Sequence, residues 1–181
     1  NSFYTFEHKN NIFNVRNKTD FEVKLLGKNI FSFSGESTER YIDGKFDSFE
    51  SKSLQNKKKK FAKVFFDKNE NNFKIFGSSF EGIIDKQIII GDWWNHQILS
   101  SNKYISSISG SIYNQEVKFI EKEIFNINKK EVELQKFNII TSKSGEKKSD
   151  FLIWYDNDLN IIFKIQYNKF GLWEYRIKEV N

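Results

Sequence analysis

The chain has no cysteine, no methionine and no proline, and alanine occurs once, at Ala62. Without cysteine there is no disulfide framework, no thiolate nucleophile and no cysteine-ligated metal. The two histidines, His8 and His96, stand far apart in the sequence, so no zinc site is expected, and nothing else calls for a cofactor. A single alanine, the best helix former, argues against an α-helical domain. The absence of proline leaves the loops without their usual stiffener. No apolar run reaches the roughly 18 residues that a membrane-crossing helix needs, so no transmembrane segment is expected. The first residue is Asn rather than Met, which fits removal of a secretory signal peptide or a shortened chain.

What is present is aromatic and basic. With 181 residues, the chain suits one domain over residues 1–181, long enough to bury a core without disulfides or metals. It carries 20 Phe, 7 Tyr and 4 Trp, residues that suit half-buried pleated surfaces. The net charge of +5 comes almost wholly from Lys, with Arg only at positions 16, 40 and 176. Nucleic-acid readers use Arg for bidentate contacts, so nucleic acid is not an expected partner.

Alternation of apolar and polar residues is the dominant pattern, and it reads as half-buried strands. Phe21, Val23 and Leu25 alternate with Glu22 and Lys24. Ala62, Val64 and Phe66 do the same. Ile161, Phe163, Ile165 and Tyr167 alternate with Lys164, Gln166 and Asn168, which are expected in water. Trp173, Tyr175 and Ile177 form a further stripe. Asp43-Gly44 and Asp156-Asn157-Asp158 read as hairpin turns, residues 67–72 and 142–149 as polar loops, and Lys57 to Lys60 as a hairpin tip. Two runs change phase: Val117 and Phe119 give way to Ile120 and Ile124, and Val132 and Leu134 to Phe137 and Ile139. Such slips predict β-bulges near residues 120 and 136. One segment reads as a helix, running from Trp93 to Ser100 with Asp92 as its cap and Trp94 and Ile98 on one face. The expected fold is all-β: a single curled antiparallel meander sheet with one short helix.

The order of segments resembles an uncharacterised bacterial envelope family, a domain of unknown function. The residues that carry the resemblance are Asp20-Phe21-Glu22-Val23-Lys24-Leu25-Leu26-Gly27, Phe31-Ser32-Phe33, Asp43-Gly44-Lys45, Phe49-Glu50-Ser51, Trp94-Asn95 and Trp154-Tyr155-Asp156. The family pattern is D-F-x-V-K-x-L-G, then W-N opening a short helix, then an L-W-Y-D hairpin. Here His96 stands where the family has Pro, and the family's additional first strand with its I-G-x-H element is missing or degraded around Asn1 to Phe6. The resemblance implies an exported, periplasmic protein whose sheet curls into a half-barrel or open barrel, similar to lipoprotein-carrier folds. It implies no activity.

The segment Asp92-Trp93-Trp94-Asn95-His96 concentrates the side chains suited to a ligand site. Its two indoles can line an apolar pocket, with Asn95 and His96 as polar contacts. Trp154 and Trp173 complete the set of ligand-binding candidates: Trp93, Trp94, Asn95, His96, Trp154 and Trp173. The bland alternative is that the Trp residues plug the end of a sheet. His96 titrates in the range of a general base, but no nucleophile or paired acid accompanies it in the sequence. Asp156, Asp158 and Asn160 imitate the start of a calcium loop, yet Ile161 and Tyr167 occupy the positions of its Gly and Glu, so turn chemistry is the expected role. Lys57 to Lys60 can touch an anionic surface or simply keep a sheet edge soluble. Glu121, Glu123, Glu131 and Glu133 recur at strand period and are expected in solvent. Three functions follow. The first is a non-enzymatic carrier of an apolar ligand such as an acyl chain or lipid. The second is a structural or interaction protein of the envelope with a filled core. The third is a hydrolase using His96. The ligand's identity and the oligomeric state are not legible.

Overall fold

The structure, a computed structural model, describes residues 1–84, 88–127, 129–168 and 171–178. Strands hold 75% of the chain and helix 3%, as the period-two stripes require. The first seven strands are β1 (Ser2–Lys9), β2 (Ile12–Leu25), β3 (Lys28–Ile42), β4 (Lys45–Gln55), β5 (Lys58–Asp67), β6 (Asn72–Gly77) and β7 (Glu81–Ile84). They pair in sequence order as one antiparallel sheet. The second sheet runs β14-β13-β12-β11-β10-β9-β8. Its strands are β8 (Ile89–Gly91), β9 (Lys103–Ser106), β10 (Ile112–Ile127), β11 (Lys130–Lys143), β12 (Glu146–Asp156), β13 (Ile161–Asn168) and β14 (Leu172–Arg176). The expected meander is present; it is distributed over two seven-stranded sheets, and the second curls as a half-barrel. By contacts the chain divides into two compact units, Asn1–Ile90 with Ile105–Ser111, and Gly91–Tyr104 with Ile112–Asn181.

Tight turns set the register. The pairs Leu25↔Lys28, Ile42↔Lys45, Gln55↔Lys58 and Lys143↔Glu146 each enclose a two-residue loop. Both residues of each loop have positive φ: Leu26-Gly27, Asp43-Gly44, Asn56-Lys57 and Ser144-Gly145. This is the type I′ turn, whose twist matches that of paired strands. Residues 142–149, read from sequence as a loop, are therefore mostly strand. Gly145 accepts φ 81 directly after Ser144, and β11 and β12 pair up to the turn.

The bulge read near residue 120 is there, between Phe119 and Glu121 on β10. The phase change near Lys136 has another cause. Leu134 and Ile139 are 0% and 1% exposed on opposite faces of β11, so both faces of this strand are covered, each over a different stretch. The β11–β12 register shift lies farther along, at Thr141/Ser142.

In the first unit the core follows cross-strand rows. Phe49, Val64 and Ile75 oppose one another on β4, β5 and β6, and all are buried, as are Val15 and Ala62. Beside this row Ser51, Ala62 and Gly77 pair, and the loop 106–111 packs on them. Ser51 Oγ donates to Ser107 O at 2.5 Å and Ser79 N to Ser109 O at 3.1 Å. A Cβ at Gly77 would stand 2.3 Å from Ser109 O, so only glycine lets the loop approach. Gly77→Ala is expected to cost about 1–3 kcal/mol, the usual price of overpacking, read as a lower urea midpoint with unchanged slope. An unchanged midpoint would show that the loop does not seat there.

Candidate functional site

The segment that concentrates the sequence candidates begins at Asp92, whose Oδ1 accepts from Trp93 N at 2.8 Å. That bond closes a turn rather than opening a helix. The helix is 3₁₀, spans His96–Ser100, and is capped by Asn95, whose Oδ1 accepts from Gln97 N at 3.0 Å. It thus starts three residues later than the sequence suggested, with Asn95 in the role given to Asp92 and Trp94 outside the helix. Asp92's short side chain is satisfied by its neighbour, while buried Asn95 reaches the first free N–H groups. Ile98 is buried, and Gln115 Nε2 donates to Ile98 O and Ser101 O, both at 2.6 Å, closing the helix C-terminus.

Three of the six candidates, Trp93, His96 and Trp173, meet one face of the second unit's sheet. Trp93 sets its edge on Phe151 at 5.1 Å, Phe151 lies 4.9 Å from Tyr167, and Trp173 pairs with Tyr167 across β13 and β14. His96 stacks on Tyr155 at 5.7 Å, and Asn95 is buried as the helix cap. Trp93, Trp94, His96 and Trp173 are half-buried. Next to this face the Tyr104 ring occupies the space a side chain at Gly91 would need, and burial pushes its phenol up to about 12.

Trp154 belongs elsewhere. Residues alternate across β12, so Trp154 points away from Phe151 and Ile153. It is 3% exposed and held by charge. Its Nε1 donates to Glu123 Oε2 at 2.8 Å, and Glu123 pairs with Lys136. Lys136 Nζ lies 5.3 Å and Lys164 Nζ 4.1 Å from the ring centroid. The register explains the sandwich, since Lys136, Trp154, Lys164 and Arg176 stand opposite one another on four successive strands. Lys164, expected in water, is 7% exposed. The indole face and Glu174, 3.2 Å away, supply the compensation that a buried ammonium requires. Glu123, also expected in solvent, is fixed on Trp154. The hydrogen bond from Lys136 holds its carboxyl below the usual range and raises Lys136 in return. Hydrogen bonds from Gln166, then from Arg176 and Lys164, bring Glu174 down to about 2. Every stacking and donor position of Trp154 is thus used internally, which makes it an anchor.

The first unit holds a feature the sequence reading passed over. Tyr4, Phe6, Phe13, Tyr41, Phe46, Phe73 and Phe66 form one continuous row of rings with centroids 5.0–6.4 Å apart. It crosses six strands, from the edge strand β1 to β6. Phe46 is buried, Phe6 is 55% exposed, and the others lie between. The signal was in the sequence as aromatics flanking hairpin turns: Phe13 after 10–11, Tyr41 and Phe46 around Asp43-Gly44, Phe66 and Phe73 around 68–71. A meander stacks alternate turns at one end of its sheet, which lines these rings up. Glu39, 3% exposed, accepts from Tyr41 Oη at 2.5 Å and is the polar group beside the row. Open grooves of about 500 and 690 Å³ lie elsewhere, one beside Asp20, Glu22 and Leu54, the other beside Asn138, Lys147 and Leu152; none of the six candidates lines either. Among the described residues no three His, Asp or Glu side chains gather to hold a metal. Asp156 Oδ1 accepts from Asp158 N and Leu159 N, both at 3.0 Å, which is turn chemistry.

Two outcomes follow from the Trp154 anchor. Trp154→Ala is expected to cost about 3–5 kcal/mol, measured by urea unfolding, against a much smaller loss for half-buried Trp93→Ala; equal losses would deny the anchor. The second concerns acid. Glu174's folded value lies below the ordinary 4.5, so the ionised group stabilises the fold above about pH 4.5, and that contribution is lost as pH falls toward 2. The stability of Glu174→Gln should vary less with pH across this window than that of the unaltered protein; parallel curves would count against the pairing.

No curated protein matches the chain. Among solved structures it is similar to the crystal structure of a beta-barrel-like protein of domain of unknown function DUF1849 from Brucella abortus, with a TM-score of 0.60 at 9% identity, over 98% of this chain and 87% of that one. At that identity the likeness is one of fold. Residues 3–178 match the model of a domain of unknown function, DUF6134, and the chain belongs to that family.

Proposed function

We propose that this protein is a non-enzymatic binding module for an apolar molecule such as an acyl chain or a lipid. The observation that supports this reading is the aromatic row of the first unit. Its seven rings run side by side, partly open to solvent, and end at Phe6 and Tyr4 on an edge strand. Rings that served the core alone would be buried as Phe49 is. At about 4.8 Å between strands, six strands give a track of roughly 24 Å, which suits an extended chain. Full burial of about fifteen methylenes contributes about 12 kcal/mol. Association costs of about 4 kcal/mol leave micromolar affinity. The ligand's head group remains at the exposed Phe6 end, clear of Glu39.

The export expected for this protein rests on the resemblance of its sequence. Trp93, His96 and Trp173 offer a second, shorter aromatic surface in the other unit, and they serve as the comparison. Calorimetric titration with palmitate and lysophosphatidylcholine below their micelle concentrations is expected to show saturable micromolar binding. Phe6→Ala and Phe13→Ala weaken it about tenfold each, the transfer value of part of a ring, while Trp93→Ala and His96→Ala leave it unchanged. Weakening confined to the latter pair would move the site to the second unit. No binding of either ligand would favour a structural protein with a filled core, and turnover of lysophosphatidylcholine abolished by His96→Ala would favour a hydrolase.

A further inference from the structure

The two ends of the first unit's sheet differ in chemistry. One holds the turns at 10–11, 43–44 and 68–71 and the aromatic row beside them. The other holds Leu26-Gly27 and Asn56-Lys57. Those two turns are neighbours, because Asn56 N donates to Ser32 O at 2.9 Å and Ser32 N to Asn56 Oδ1 at 2.8 Å.

Leu26 is the anomaly at this end. The first positions of the other described tight turns with positive φ are Asn10, Asp43, Asn56 and Ser144, all short and polar, as the left-handed region favours. Leu26 adopts φ 50 there with a branched apolar side chain that is 95% exposed. It gains nothing locally from this, neither a hydrogen bond nor burial. Ile30, the extra residue of the bulge at Val23/Lys24, is 43% exposed beside it, and Leu54 is 42% exposed on the neighbouring strand. Phe21, Phe31 and Phe33 stack behind them at 5.5–5.6 Å, half-buried. Around this apolar tip stand Lys24 and Lys28 on one hairpin and Lys57 to Lys60 on the other: six lysines, against the carboxylates of Asp20 and Glu22. Lys28, Lys57, Lys58 and Lys59 are exposed.

We propose that this end of the sheet is a bilayer-contacting surface, with Leu26 and Ile30 entering the headgroup region of a membrane that contains anionic lipid and the lysines pairing with its phosphates. An apolar projection ringed by cations matches both layers of such an interface, hydrocarbon beneath and negative charge above. A soluble polyanion would match the lysines but give Leu26 no role. This surface is independent of the aromatic row, which lies at the opposite end of the same sheet.

The test is co-sedimentation of the protein with vesicles of equimolar phosphatidylglycerol and phosphatidylcholine, compared with phosphatidylcholine alone. Binding is expected on the mixed vesicles, falling as salt rises, and not on the neutral ones. Leu26→Asn places a residue favoured at positive φ into the turn. This variant should keep or raise the thermal midpoint, retain the calorimetric affinity for lysophosphatidylcholine, and lose vesicle binding several-fold. The triple change Lys57→Gln, Lys58→Gln, Lys59→Gln should weaken vesicle binding about a hundredfold, at roughly fivefold per lysine. The proposal is overturned if the wild-type protein does not bind mixed vesicles at low salt, if it binds neutral vesicles equally, or if Leu26→Asn binds as well as wild type. Heparin competition that is indifferent to Leu26 in that last case would assign the lysines to a soluble polyanion instead.

Discussion

Everything else in this molecule depends on register. Each strand of the first sheet pairs with its sequence neighbour, and from β2 to β5 the neighbour's alignment is set by a turn of two residues with positive φ. At Asp43-Gly44 this fixes Ile42 against Lys45 and Tyr41 against Phe46, and a bulge follows beyond that pair. A slip of one residue would exchange the faces of the whole strand and turn Phe46 and Phe49 out of the core. The aromatic row exists because five successive strand pairings agree, three of them set by such turns. Turn chemistry, a matter of a few side chains at each loop, therefore controls a surface that spans six strands.

A second consequence of register is the burial of charge. Lys136, Trp154 and Lys164 are neighbours only because β11, β12 and β13 align them, and the indole receives an ammonium from each flanking strand. Aromatic faces attract cations, and Glu123 and Glu174 complete the compensation. The arrangement uses polar side chains where an apolar core would ordinarily continue. It also places Trp154, one of the six candidates, among internal partners on the face away from Phe151 and Ile153.

The meander separates side-chain chemistry along the strand axis. Alternate turns fall at opposite ends of the sheet, so residues near turns 10–11, 43–44 and 68–71 collect at one end and those near 26–27 and 56–57 at the other. Aromatics flank the first set, lysines and exposed aliphatics the second. Two surfaces of different chemistry thus arise from one sheet without any change in architecture.

The sequence by itself determined the all-β class, the antiparallel order, the Asp43-Gly44 turn, the bulge at Ile120 and the role of Asp156. These are local: alternation and turn residues act within a few positions and need no distant partner. The short helix was legible in place but not in its cap, because Asp92 and Asn95 are both good caps and only the path of the turn assigns the role. Lys164 and Glu123 were misplaced because alternation identifies two faces without saying whether one or both are covered. That is decided by what packs on them, and β12 is covered on both sides from Ile153 to Asp156. Tertiary structure alone decided which aromatics stand in one row, and which of the six candidate residues share a face, since each depends on register summed over several strands.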